Sequence, residues 1–219
     1  MASVIMPAYN CEKYIDTAIE SVLMQKTAFR YELLIGDDAS TDKTCRIIEE
    51  YKKKYPDIIH AWHREINCGA TKNAYLLFCQ AKGKYIATCE GDDYWIDVYK
   101  LQKQISFLEN RQEFIGCSHD CLVIDAKGEK TRNQNLSWVS KKTVFSLDDF
   151  NGMLLPGQSG TIVRRNIYIN SKDKYDIFYK AHRQIGDRTT ALISEIEETI
   201  SHIRPLYAIH SCINQVKLP

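Results

Sequence analysis

Strand-like and helix-like segments alternate through the first ninety residues, and that alternation leaves few folds open. Ser3-Val4-Ile5-Met6-Pro7 is a short apolar run stopped by proline, as expected of a buried strand. From about Cys11 to Gln25, Tyr14, Ile15, Ala18, Ile19, Val22 and Leu23 recur on one helical face. Tyr31 to Gly36 reads as a second strand. It ends in Asp37-Asp38-Ala39-Ser40-Thr41-Asp42, a loop rich in helix-capping side chains, where Ser40 or Thr41 can cap the helix expected from about Lys43 to Lys54. A third strand over Ile58–Trp62, a third helix over Ala70–Gln80 and a fourth strand over Lys84–Thr88 complete the series. Such a series of βαβ units predicts an α/β fold with a mostly parallel central sheet flanked by helices. Ligands of these sheets gather at the carboxyl ends of the strands. The loops after Pro7, Gly36 and Thr88 are therefore expected to meet at one ligand.

Beyond residue 95 the pattern becomes irregular. It predicts a helix over Val98–Asn110, a strand over Gly116–Ile124, a turn at Asp125–Gly128 and a polar loop over 129–142. A helix over Leu147–Leu154, a loop at Pro156–Gly160, a strand over Thr161–Val163, a helix from Gly186 to Ile193 and a last strand over Leu206–Ile209 follow. No repeat or linker interrupts the chain, so one domain over 1–219 is expected, its second half a mixed extension of the same sheet.

The net charge of +1 gives no reason to expect a nucleic-acid partner. Residues 127–188, however, carry twelve Lys and Arg against six Asp and Glu. That stretch suits an anionic partner or a membrane surface. Eight cysteines without CxxC spacing read as buried small hydrophobes in a reducing compartment. No basic leader precedes the first strand, and no apolar run reaches the length of a transmembrane segment. The expectation is a cytoplasmic protein, with peripheral contact at the inner face of the membrane open through the basic stretch.

Cys89-Glu90-Gly91-Asp92-Asp93-Tyr94-Trp95 carries the clearest chemistry. Adjacent carboxylates raise one another's pKa, a conflict that a hard divalent cation with oxygen ligands removes. A metal at a strand end commonly serves a bound phosphate. The plainer account is a solvated acidic turn with Gly91 at its corner.

Read in order, Val4-Ile5-Met6-Pro7-Ala8-Tyr9-Asn10, Asp37-Asp38-Ala39-Ser40-Thr41-Asp42, Asn67-Cys68-Gly69 with Lys72-Asn73, and Gly91-Asp92-Asp93 resemble the family 2 glycosyltransferases. These are inverting enzymes that use nucleotide-diphospho-sugars. The resemblance covers residues 1–110 and is weak beyond them. It implies a single GT-A type domain, with residues 1–110 binding the nucleotide-sugar and 111–219 the acceptor. It implies a hexosyltransferase that moves a sugar, with UDP as the expected carrier, to a saccharide or lipid-linked saccharide hydroxyl in surface or extracellular polysaccharide synthesis. Asp38 would then accept the ring N–H of the base, with Pro7, Ala8 and Tyr9 forming its slot. Asn67, Gly69, Lys72 and Asn73 would lie near base and ribose. Asp92 would contact ribose or cation, and Asp93 would bind Mn²⁺ or Mg²⁺. Glu90 stands where many relatives have an aspartate. Asp187, ninety-four residues after Asp93, is the candidate base that deprotonates the acceptor, and His210 a candidate metal or pyrophosphate contact. Gln158, Ser159 and Gly160 could touch a sugar, and Trp95 or Trp138 could stack on one.

Two other functions use similar parts. A nucleotidyltransferase would show a glycine-rich basic loop after the first strand, and Pro7-Ala8-Tyr9-Asn10-Cys11 has no glycine. An inactive sugar-nucleotide binding module would keep Asp38 and Asp93 but lack a base, against which Asp187 argues. No GxGxxG follows the first strand, which disfavours a dinucleotide-binding dehydrogenase.

Overall fold

The computed structural model describes residues 1–125, 129–131, 136–150, 153–169, 180, 182–183, 186–191 and 193, with the backbone alone for 206–217. Strands β1 (Ala2–Ala8), β2 (Tyr31–Asp37), β3 (Ile59–His63) and β4 (Tyr85–Thr88) pair in the order β3–β2–β1–β4, all parallel. Helices α1 (Ile15–Leu23), α2 (Thr44–Lys54) and α3 (Ala70–Phe78) make the crossovers. The elements expected in the first ninety residues are all present. β1 is central, so both its faces are buried and it reads as a continuous apolar run. Val4 and Met6 join Leu33, Ile35 and the inner face of α1 (Ile15, Ile19, Val22) in one core cluster. Ile5, one residue out of step, joins Leu34, Ile86 and Tyr75, Leu77 and Phe78 of α3 in another. This period-two division clamps the sheet between helices and fixes its register.

The second half adds β5 (Asp93–Trp95), α4 (Lys100–Asn110), β6 (Phe114–Val123), β7 (Val144–Ser146), β8 (Val163–Arg165) and β9 (Leu206–Lys217). The nine-stranded sheet continues β4–β8–β6–β9–β5, with β7 on β9. β8 runs antiparallel to β4 and β6, while β9 is parallel to β6 and antiparallel to β5 and β7. The mixed extension thus follows the sequence, but β7 is a strand that the sequence pattern does not predict, and three further differences stand out. Leu147–Leu154, expected as a helix, forms one 3₁₀ turn at Leu147–Asp149, after which Phe150 is extended. Ser146 and Asp149 close a capping box around that turn, and the turn-forming pair Asn151-Gly152 follows in sequence. Asp93–Trp95, expected within a loop, is a strand because β9 pairs with it from more than 110 residues away. β9 itself runs to Lys217, well past Ile209.

Lys100 opens α4 with its ammonium fully buried, 4.2 Å over the Trp95 ring and 2.8 Å from Gln104 Oε1. Desolvation pushes its pKa down to about 7. Below that pH Lys100 is charged in folded and unfolded chain alike, and the burial penalty opposes folding in full. Between about pH 7 and the ordinary lysine value of 10.5, the unfolded chain holds a proton that the folded one lacks. Stability from this group therefore rises with pH across that window. Lys100→Met is expected to raise urea-unfolding stability by about 1–3 kcal/mol at pH 6, the gain shrinking towards pH 10. A gain that does not vary with pH would show that the ammonium is not the source.

Candidate functional site

The carboxyl ends of β1, β2 and β4 open on one groove of about 330 Å³. Pro7, Ala8, Tyr9, Asn10, Cys11 and Tyr14 line it from β1 and the start of α1, and Asp38 from the loop after β2. Asn67, Ala70 and Asn73 come from the α3 end, and Glu90, Gly91 and Asp92 from the loop after β4. Loops far apart in sequence do converge, as strand-end logic requires.

Two non-glycine residues shape the rim: Asn10 has φ 50° and Ala39 φ 62°. Asparagine tolerates this left-handed region; for alanine it costs about 1 kcal/mol, sustained by surrounding bonds. Those bonds stitch the β1 and β2 loops together. Asn10 N donates to Ser40 Oγ at 2.9 Å, and Thr41 N donates to Asn10 Oδ1 at 2.8 Å. Ser40 and Thr41 are therefore engaged with Asn10. Asp42 serves the start of α2 instead, its Oδ1 accepting Thr44 N at 2.9 Å.

Asp38 is 2% exposed. Its Oδ1 accepts Cys68 N and its Oδ2 accepts Gly69 N, both at 2.8 Å, while Asn67 Nδ2 donates to the Asp38 carbonyl at 3.0 Å. This carboxylate folds the third sequence word against the second. Oδ1 also accepts the Cys68 thiol at 3.1 Å, whereas Oδ2 keeps a second lone pair that can accept a ligand N–H. Gly69 has φ 89°, and a Cβ there would sit 2.7 Å from the Arg183 carbonyl oxygen. Only glycine fits both demands.

After β4 the chain turns sharply. Gly91 N donates to Pro7 O at 3.0 Å, and a Cβ on Gly91 would lie 2.9 Å from Cys11 Sγ. The turn leaves Glu90 and Asp92 half-buried in the groove wall. Asp93 lies outside that lining. It is fully buried on β5, with Gln158 Nε2 3.5 Å from its Oδ2. The oxygen-only pair Glu90 and Asp92 suits a hard cation, Mn²⁺ or Mg²⁺.

Other expected residues fall as follows. Lys72 lies on α3, outside the groove lining. Asp187 is exposed at the start of helical residues 187–191 and lines a second cavity of about 60 Å³, which shares Ala70 with the groove. His210 is on β9, in register with His119; its side chain lies outside the described residues. Gln158 holds the Ser159–Thr161 turn through Gly160 N at 2.7 Å. Trp95 is a core residue with no exposed surface, and Trp138 is exposed.

Sequence reading passed over two features, at Asn10 and Arg183. Asn10 was legible as an asparagine suited to positive φ. Arg183 clasps Asn67, donating to its carbonyl at 2.7 Å and to Oδ1 at 2.6 Å, a contact with no local signal. Arg164 lines the 60 Å³ cavity while only 7% exposed, 5.0 Å over the Phe78 ring. Among the described residues no carboxylate comes within ion-pair reach of it. Arg165, beside it, is spent on Phe114 O, Leu108 O and Tyr85 Oη.

The thiols are quiet. Burial pushes the Cys11 pKa up to about 12 and that of Cys68 up to about 11, so neither is a nucleophile. No helix among the described residues is long and apolar enough to cross a membrane.

Comparison with known proteins places this geometry. An uncharacterized protein of Mycobacterium tuberculosis is 42% identical over 146 residues, covering 66% of this chain and 42% of its own. A UDP-Glc:alpha-D-GlcNAc-diphosphoundecaprenol beta-1,3-glucosyltransferase of Escherichia coli is 37% identical over 119 residues, covering 54% of this chain and 45% of its own. The chain thus spans less than half the length of these relatives. Among solved structures, Staphylococcus aureus TarS 1-349 in complex with UDP superposes with TM-score 0.71 at 20% identity, over 100% of this chain and 60% of that one. A Pyrobaculum calidifontis mannosyltransferase in complex with GDP-Man and Mn²⁺ gives TM-score 0.64 at 13% identity, over 100% and 56%. Both show the GT-A fold. The family described as glycosyl transferase family 2 matches residues 3–170, and with the four loop words gathered at one groove, the chain belongs to that family.

Proposed function

We propose that the chain binds a nucleoside diphosphate sugar, with UDP as carrier, in the 330 Å³ groove and transfers the sugar to an acceptor hydroxyl with inversion. The convergence of the β1, β2, α3 and β4 loops on that groove carries the reading. Pro7, Ala8 and Tyr9 form the slot for the base, and Asp38, held rigid by Cys68 and Gly69, accepts its ring N–H. Asn67, braced by Arg183, and Asn73 border the ribose, with Gly69 and Lys72 beside them in sequence but outside the groove lining. Glu90 and Asp92 hold Mn²⁺ or Mg²⁺, with Asp93 buried behind them and His210 a further candidate contact. When bound, the ion offsets the charge that develops on the departing diphosphate.

Asp187 takes the proton of the acceptor hydroxyl. With the base on the side opposite the leaving group, one displacement inverts the anomeric carbon. Arg164, in the cavity that Asp187 also lines, offers counter-charge to a phosphate on the acceptor. The UDP held by TarS and the diphosphate-linked acceptor named for the Escherichia coli relative support this choice of donor and acceptor class. A place in surface polysaccharide synthesis at the inner membrane face is part of the same proposal.

Isothermal titration of UDP-sugars with and without Mn²⁺ tests the reading. Dissociation constants between about 1 μM and 1 mM are expected, tightened at least tenfold by Mn²⁺. No uptake of any nucleotide-sugar in either condition would refute it.

A further inference from the structure

Outside the groove, three metal-capable side chains meet. Asp37 ends β2 and His63 ends β3, and the parallel register pairs these two residues directly. Cys45 sits in the first turn of α2, above them. One ligand atom from each of the three lies within 4.8 Å of the others. His63 Nδ1 is 3.2 Å from Asp37 Oδ2 and 3.3 Å from Cys45 Sγ. None of the three lines the donor groove.

Hydrogen bonding cannot serve all three of these side chains at once. With a proton on Nδ1, the thiol cannot donate to it. Without one, the Nδ1 lone pair faces a carboxylate lone pair. A cation would satisfy all three donors at once. Tetrahedral zinc with ordinary bond lengths places its nitrogen, oxygen and sulfur ligands about 3.3–3.6 Å apart, close to the two separations given above. The far nitrogen of His63 is also set for this role, since Nε2 lies 2.8 Å from Glu49 Oε1. A ligating histidine commonly donates its second N–H to such a carboxylate.

We infer that Asp37, Cys45 and His63 form a binding site for a zinc-class divalent ion, separate from the cation proposed in the groove. The thiolate and imidazole select a borderline-soft metal, whereas Glu90 and Asp92 offer oxygen alone. Binding forms metal–sulfur, metal–nitrogen and metal–oxygen bonds and releases the Cys45 thiol proton to solvent. Water completes the fourth position, on the side where His63 is open to solvent. The ion would pin α2 to the ends of β2 and β3. Its influence reaches the groove rim as well, because Asp37 Oδ1 accepts Ser40 N and Ser40 Oγ accepts Asn10 N.

The competing account is an imidazolium held between Asp37 and Glu49, which gives the metal no thiolate ligand. Cobalt titration of the reduced, EDTA-treated chain separates the two. One Co²⁺ per chain is expected, with the thiolate-to-cobalt charge-transfer absorption of a tetrahedral site, displaced by Zn²⁺. Zn²⁺ alone should raise the melting temperature by several degrees. The absorption should vanish in Cys45→Ser and in His63→Gln, persist in Asp92→Asn, and need about 10–100-fold more metal in Glu49→Gln. Absence of the absorption, or its survival in folded Cys45→Ser, would overturn the assignment.

Discussion

Asp187→Asn is expected to slow sugar transfer by about 10²–10⁴-fold while leaving nucleotide-sugar affinity unchanged. Asparagine keeps the shape of the side chain but cannot take up a proton. Position 187 is exposed at the start of a helical run, within reach of an incoming acceptor. The cavity it lines meets the donor groove at Ala70, so acceptor and donor can be presented from adjoining walls. The measurement is turnover beside donor affinity, each in the variant and the parent chain. Normal turnover would remove Asp187 as the base. Arg164→Met supplies a second arm: the KM for a phosphate-bearing acceptor should rise about tenfold, with that for a neutral acceptor and for the donor unmoved. Equal effects on all three would mean that Arg164 only supports the fold.

The parallel half of the sheet was legible because each of its segments carries its own periodicity. β1 is apolar on both faces because it is central, and α1 shows one apolar stripe because only one side meets the sheet. The groove followed from the same logic, since strand ends are where loops collect. Pairings between distant segments were not legible. Asp93–Trp95 has only three residues, too few for a period, and its partner β9 lies at the other end of the chain. That pairing places Asp93 in a buried strand, while its neighbour Asp92 stays in the groove wall. The family resemblance gave Asp92 to ribose or cation and Asp93 to the cation, but no local pattern foretold that Asp93 would be the buried one. Similarly, Cys45 and His63 are eighteen residues apart and carry no joint motif; only the β2–β3 register and the seat of α2 unite them. Arg183 braces Asn67 across 116 residues, beyond the reach of any local pattern.

Asp92→Asn is expected to abolish the gain that Mn²⁺ gives to donor binding, an effect of at least tenfold, with folding stability close to that of the parent. Asp92 is half-buried in the groove wall, two residues after Glu90, so the change removes one charged oxygen ligand from a solvent-reached site. Asp93→Asn is expected to do the reverse. Asp93 is enclosed on β5 beside the amide of Gln158. An amide there can keep an oxygen towards Gln158 Nε2 only by putting its NH₂ at the buried Oδ1 position, and misfitted polar groups in the interior cost about 1–3 kcal/mol. Urea unfolding should register that loss while titration still shows Mn²⁺-dependent uptake. The contrast rests on the chain's path, because Asp92 ends the turn that follows β4 whereas Asp93 is the first residue of β5 and is buried there. One points to the groove and its neighbour into the protein. If Asp93→Asn erases the Mn²⁺ effect and Asp92→Asn preserves it, the ion lies deeper than the groove wall, and Asp93 rather than Asp92 anchors it.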